Sequence, residues 1–158
     1  MGARTWPDDW ERRVAGEDCP KCAEGRPDED EYGIRFFAGE ASDAYLQSST
    51  PLPGYTVVVW RGVHAADPSE MSADDAARYT SELLHVARAL KSVFDPSQVN
   101  YMTWGNQVPH VHTHVVRRYL DDPQPGRPLD PFGATPVPIS ELHTQVARLR
   151  AAMSSSAS

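Results

Sequence analysis

Apolar positions recur at helical spacing most clearly in "SADDAARYTSELLHVARALKSVF", residues 72–94. Ala76, Tyr79, Leu83, Ala87, Leu90 and Phe94 fall on one stripe, the face that an amphipathic helix buries. Ser72 with Asp75 three residues later makes a capping-box variant, with Asp where Glu is usual. His85 lies about 200° from Leu83 at roughly 100° per residue and is expected to face solvent. A second helix is expected over "ISELHTQVARLRAAM", where Leu142, Val146, Leu149 and Met153 share a face and His143 lies at its edge. Elsewhere the period is two, or the run is short and β-branched. "IRFFAGEASDAYLQ" suggests two strands around a turn at Gly39, and "YTVVVW" (55–60), "VNYMTW" (99–104) and "HVHTHVV" (110–116) each read as a strand. "PLPG", "DPSQ" and "GNQVP" punctuate them as turns. Residues 123–138 are Pro-rich and aperiodic, and "SSSAS" is a frayed tail. Strands, a helix, strands and a terminal helix make an α+β layout, an antiparallel sheet with helical cover.

Length and charge narrow the picture. A chain of 158 residues can bury one real core. Fifteen basic against 22 acidic residues leave a net charge of −7, the wrong sign for sequence-independent binding of nucleic acid or an anionic membrane. No apolar run is long enough to span a bilayer, and the N-terminus lacks the apolar core of a signal peptide, so a cytoplasmic location is expected. Residues 1–18 read as a polar extension, with Trp6 and Trp10 as possible anchors. Residues 23–33 read as a solvated, charged loop. The only two cysteines form "CPKC", Cys19 to Cys22. Half a zinc site, a structural turn and a redox motif all fit that spacing.

Three of the six histidines stand at His110, His112 and His114. In a strand, residues two apart share a face, so the three imidazoles would project together, successive Cβ atoms about 6.5–7 Å apart. Val111, Thr113 and Val115 would then face the helices. Packing does not explain such a strand. Either the imidazoles chelate a metal, or the central one is a nucleophile whose tautomer is set by a backbone carbonyl. The spacing alone allows both.

"HVHTHVV" resembles the signature of the histidine triad (HIT) superfamily of nucleotide hydrolases and transferases. The resemblance extends through the lead-in and exit of "GNQVPHVHTHVVRRY", the "PLPGYTVVVW" turn and strand, and "DDPQPGRP", over about residues 19–130. It implies the HIT-like fold, a HIT domain at 19–122, and a Pro-rich segment with a C-terminal helix at 123–158. It makes His112 the nucleophile at the α-phosphorus of a nucleotide, through a covalent nucleotidyl-histidine. His114 would position the phosphate and handle protons, and His110 would pack beside them. Asn100, Asn106 and Gln107 look like the family's phosphate-binding amides, and Gln47 stands where many members have a ribose-binding Asn. Zinc-bearing members join a CxxC to a histidine after the central strand and to the first triad histidine, which implies a structural zinc on Cys19, Cys22, His64 and His110. A nucleotide substrate of the dinucleoside polyphosphate or phosphoramidate type and a homodimer through the long helix are implied as well. The alternatives are a metal-dependent hydrolase with the triad as ligands, and a catalytically silent nucleotide-binding module. Thr113, Tyr55 and Arg117 depart from the family's usual residues, and His64 arrives one residue late.

Overall fold

The computed structural model describes residues 5–130 and 135–155. Five strands form one antiparallel sheet: β1 (Gly33–Ala38), β2 (Ser42–Gln47), β4 (Thr56–Trp60), β5 (Gln98–Met102) and β6 (His112–Arg118), in the order β1-β2-β4-β6-β5. A two-residue ribbon joins β3 (Ser49–Thr50) to β7 (Thr135–Pro136). The helices are α1 (Trp10–Val14), α2 (Pro20–Ala23), α3 (Ala73–Phe94) and α4 (Ile139–Ser155). The α+β architecture read from the sequence is therefore the one observed.

The sheet is two-faced because its strands alternate. Ala44, Leu46, Val58, Trp60 and Val115 are buried against Val86 and Leu90 of α3 and Leu142, Val146 and Leu149 of α4. The Ser72 hydroxyl accepts from the Asp75 N–H and starts α3 as expected. Asp95 ends the helix in the left-handed region. Thr113 looks into this helical layer, and its polarity has a partner there. The Tyr79 hydroxyl lies 2.9 Å from its Oγ1, and the Thr103 hydroxyl lies 2.9 Å away as well. His85 is half-buried with its ring 5.7 Å from that of Phe37, and so does not point freely to solvent.

Several strand boundaries moved. The strand expected at 99–104 ends at Met102, which frees Thr103 and Trp104, and the strand expected at 110–116 begins only at His112. His110 therefore belongs to the approach to β6. Two short N-terminal helices and the β3–β7 ribbon carried no periodicity, because each is too short to repeat a pattern. Helix α1 lies against the body of the fold. The Gln107 amide donates to the Thr5 carbonyl, and Arg13 donates to that of Gln107.

Candidate active site and metal centre

The sheet face away from the helices carries two of the three candidate histidines. Along β6, His112 and His114 alternate with buried Thr113 and Val115, which puts both imidazoles on the open face. The neighbours in register are apolar: Val59 opposite His112, with Val57 and Met102 on either side of His114. An apolar bed disfavours the imidazolium form. Burial pushes His114 down to about 4 and also lowers His112, so both are neutral near pH 7.

The ring nitrogens are differentiated. His112 donates from Nδ1 to the His110 carbonyl at 2.6 Å, which leaves its Nε2 lone pair free. The Nδ1 of His114 lies 2.7 Å from the Tyr55 hydroxyl. The two rings stand 5.2 Å apart in an edge arrangement, and the half-exposed Trp104 indole lies 5.3 Å from His114.

His110 has turned elsewhere. It is 2 % exposed, and its Nε2 donates to the Trp60 carbonyl at 2.6 Å. Its Nδ1 faces Cys19 Sγ at 3.4 Å and Cys22 Sγ at 3.6 Å. His64 is held in the same way, with Nε2 donating to the Val14 carbonyl at 2.9 Å and Nδ1 facing Cys22 Sγ at 3.3 Å. The four donor atoms lie within 4.8 Å of one another. A tetrahedral zinc with bonds of about 2.3 Å to sulfur and about 2.0–2.1 Å to nitrogen spaces its ligands roughly 3.4–3.8 Å apart. The set fits a zinc ion. Burial also holds His110 at about 4, in the neutral form a ligand requires.

A tight turn follows β4 and leads to His64. The Trp60 indole donates to the Val63 carbonyl at 2.8 Å, and its ring lies so close beneath Gly62 that a Cβ there would sit 2.0 Å from it. His64, one residue later than the resemblance leads one to expect, reaches the cysteines from this turn. Arg61 locks the cysteine turn from below. It donates to the Lys21 carbonyl between the cysteines, to Glu24, and to Asp43, which is wholly buried. Burial pushes the Asp43 carboxyl up, but hydrogen bonds from Arg26 and Arg61 outweigh it and bring the group below its ordinary value.

The expected amides are dispersed. Asn100 lies on the histidine face opposite Val116, with its Oδ1 held by Arg118 at 2.9 Å so that its N–H groups remain available. Asn106 is exposed in the loop leading to His110. The Gln107 side chain is engaged by Thr5, and Gln47 ends β2 with its backbone N–H on the Tyr55 carbonyl. Trp104 and the Arg61–Asp43 pair had no signal in the sequence. Tyr55 stood out only as a departure from the family's histidine. The triad does not gather around one point. Among the described residues the group that could hold a metal is Cys19, Cys22, His64 and His110, which weakens the reading of the three histidines as one ligand set.

A five-stranded antiparallel sheet with two alternating imidazoles on its open face and a Cys2His2 cluster beside it is the arrangement of the histidine triad class. The family model described as HIT domain matches residues 31–121, more than half of the chain, and the chain belongs to the HIT family. Among solved structures, a HIT protein from Sinorhizobium meliloti is 29 % identical, with a TM-score of 0.68 over 74 % of this chain and 87 % of that one. A histidine triad protein from Bradyrhizobium japonicum is 23 % identical, with a TM-score of 0.69 over 78 % and 92 %. A zinc-bound histidine triad family protein from Mycobacterium smegmatis is 23 % identical, with a TM-score of 0.63 over 87 % and 94 %. No curated protein matches the sequence. Among the described residues no helix is long and apolar enough to cross a membrane.

Proposed function

We propose that the protein is a nucleotide hydrolase or nucleotidyltransferase that cleaves at the α-phosphate of a dinucleoside polyphosphate or nucleoside phosphoramidate. The observation that carries this reading is the bond from His112 Nδ1 to the His110 carbonyl. It fixes the tautomer and aims a lone pair from Nε2. His112 Nε2 attacks phosphorus, the bond from phosphorus to the leaving oxygen or nitrogen breaks, and the leaving group departs with its electron pair. Water or another acceptor then attacks the same phosphorus and breaks its bond to Nε2, restoring the neutral imidazole. The Asn100 amide, with Oδ1 anchored, has N–H groups to offer a phosphate oxygen without the positive field this acidic chain lacks.

Cys19, Cys22, His64 and His110 would hold a structural zinc, as the distances and ring orientations support and as the zinc-bound mycobacterial relative suggests. A closed set of four S/N ligands supplies folding energy, not a reactive water. His110 would couple that centre to the active site through its carbonyl, the acceptor of the His112 Nδ1–H. The protein acts as a homodimer through α3 and the adjoining edge strand, a reading supported by the half-exposed Leu84 and Tyr101 on those elements.

The test is His112→Ala assayed with adenosine phosphoramidate and diadenosine polyphosphate. Acid-labile labelling of the wild type by radioactive nucleotide, absent in the variant while equilibrium nucleotide binding is retained, is the expected result. Full turnover by His112→Ala eliminates the mechanism.

A further inference from the structure

We propose that Tyr55 is a positioning residue that holds His114 as a neutral imidazole with its proton on Nε2, making His114 a hydrogen-bond donor to the transferring phosphate and not an imidazolium acid. The inference rests on the hydrolase reading above for what His114 touches, but the state of His114 itself follows from geometry. The Tyr55 hydroxyl and His114 Nδ1 are 2.7 Å apart, and the tyrosine is 5 % exposed. Among the described residues His114 is the sole hydrogen-bond partner of that hydroxyl. Two proton arrangements fit the distance. If Nδ1 carried the proton and donated to the phenol oxygen, the phenol hydrogen would be buried without an acceptor, a costly state. If the phenol donates to Nδ1, both groups are satisfied and the ring proton resides on Nε2.

The surroundings hold the second arrangement. Val57 and Met102 lie opposite His114 in the sheet and Trp104 lies against its ring, and among the described residues no carboxylate acts on it to stabilise an imidazolium. Burial pushes the Tyr55 phenol up and His114 down, which keeps one a donor and the other neutral. A histidine at position 55 would have its own choice of tautomer. A phenol has one proton and no such choice. The adjacent imidazoles thus take complementary forms: His112 is protonated on Nδ1 with a lone pair on Nε2, and His114 accepts on Nδ1 with a proton on Nε2. One attacks and the other donates, and neither needs to change protonation before the reaction. A neutral imidazole N–H is too weak an acid to protonate a leaving group, but it stabilises developing charge on oxygen, as preorganised donors do. A phosphoramidate nitrogen takes its proton from a hydronium ion or buffer acid of the solvent before the P–N bond breaks, and a leaving phosphate oxygen needs none.

Long-range 1H–15N correlation spectra of the zinc-loaded protein at pH 7, with His114 assigned by comparison with His114→Asn, read the tautomer directly. The expected result is a protonated Nε2 and an Nδ1 resonance displaced by an accepted hydrogen bond, which in Tyr55→Phe moves to that of an unbonded nitrogen. A proton on Nδ1 in the wild type, or an Nδ1 resonance unmoved in Tyr55→Phe, overturns the proposal. In turnover, Tyr55→Phe should lower kcat roughly tenfold, with KM changed less than about twofold. The same loss is expected for nitrophenyl esters and alkyl phosphoramidates of the same nucleotide. An unchanged kcat, or a loss that grows with the basicity of the leaving group, refutes the assigned task. Should Tyr55→Phe not fold, the wild-type tautomer alone decides. A wild type that forms no nucleotidyl adduct with any of these probes overturns the hydrolase reading and the task of His114 with it. The spectra of the substrate-free protein still judge the Tyr55–His114 bond.

Discussion

Gly54 closes the turn before β4 with φ of +81°, and a Cβ built on it would sit 1.7 Å from a terminal nitrogen of Arg117 and 2.1 Å from the guanidinium carbon. In Gly54→Ala the left-handed backbone costs about 1–2 kcal/mol. The guanidinium must also move. It is 1 % exposed, lies 3.4 Å from the centre of the Phe94 ring, and donates to the Tyr119 hydroxyl at 2.6 Å. Losing the desolvated cation–π contact costs about 2 kcal/mol and the charged hydrogen bond about 1.5–3 kcal/mol. Part of this is returned. Burial depresses the Arg117 guanidinium to about 10, and two of its nitrogens lack a hydrogen-bond partner among the described residues, so the cation regains hydration as it leaves. The net expectation is about 2–4 kcal/mol, or a melting temperature lower by roughly 5–15 °C for a domain of this size. Denaturant unfolding followed by tryptophan fluorescence measures it, with Arg117→Met and the double variant completing a cycle. Arg117→Met alone should be close to neutral, because it removes a buried cation that is only partly satisfied. The double variant should recover the steric part and leave about 1–2 kcal/mol of backbone cost. A loss below about 1 kcal/mol in Gly54→Ala, or no coupling to Arg117, refutes the close-approach argument. Because Tyr55 follows Gly54 directly, the surviving folded fraction should also turn over more slowly.

Removing metal with a chelator, or making Cys19→Ser, should lower thermal stability far more than it lowers the rate of the still-folded protein; metal analysis of protein purified without chelators that finds no zinc contradicts this. Arg118 grips Asp122 through two nitrogens, at 2.6 and 3.0 Å, and holds its carboxyl at about 2. That value is below the unfolded reference of about 3.9, so the contribution is complete above pH 4 and is lost as the pH falls through about 2. Wild type should therefore exceed Asp122→Asn in stability at pH 6, with the gap shrinking toward pH 2 in denaturant titrations. A gap that is constant across that range rules out the ion pair as its source.

The long helix, the strand alternation and the three histidines were legible because each is a local repeat read against a fixed period. Helix α3 shows the point: its buried residues recur every three to four positions, so one surface had to be covered whatever lay above it. The choice of His112 as nucleophile came from the family resemblance and not from the spacing, while the carbonyl that accepts from its Nδ1 belongs to a residue two positions away on the same chain. What the sequence could not decide were contacts between residues far apart along it. The grouping of His110 with the cysteines, which only the family resemblance implied, depended on where α2 and the turn after β4 came to rest, 88 positions from Cys22 and 46 from His64. The late position of His64 does not keep it from Cys22, whose sulfur lies 3.3 Å from its Nδ1. Tyr55 was visible only as an unusual residue after a glycine. Its task emerged once β4 and β6 were paired and its hydroxyl was brought to His114 across 59 positions of chain. Local pattern selects the elements, because it depends on a few neighbouring side chains. The chemistry is set where strands distant in sequence are brought side by side, because burial and hydrogen bonding there choose each group's proton.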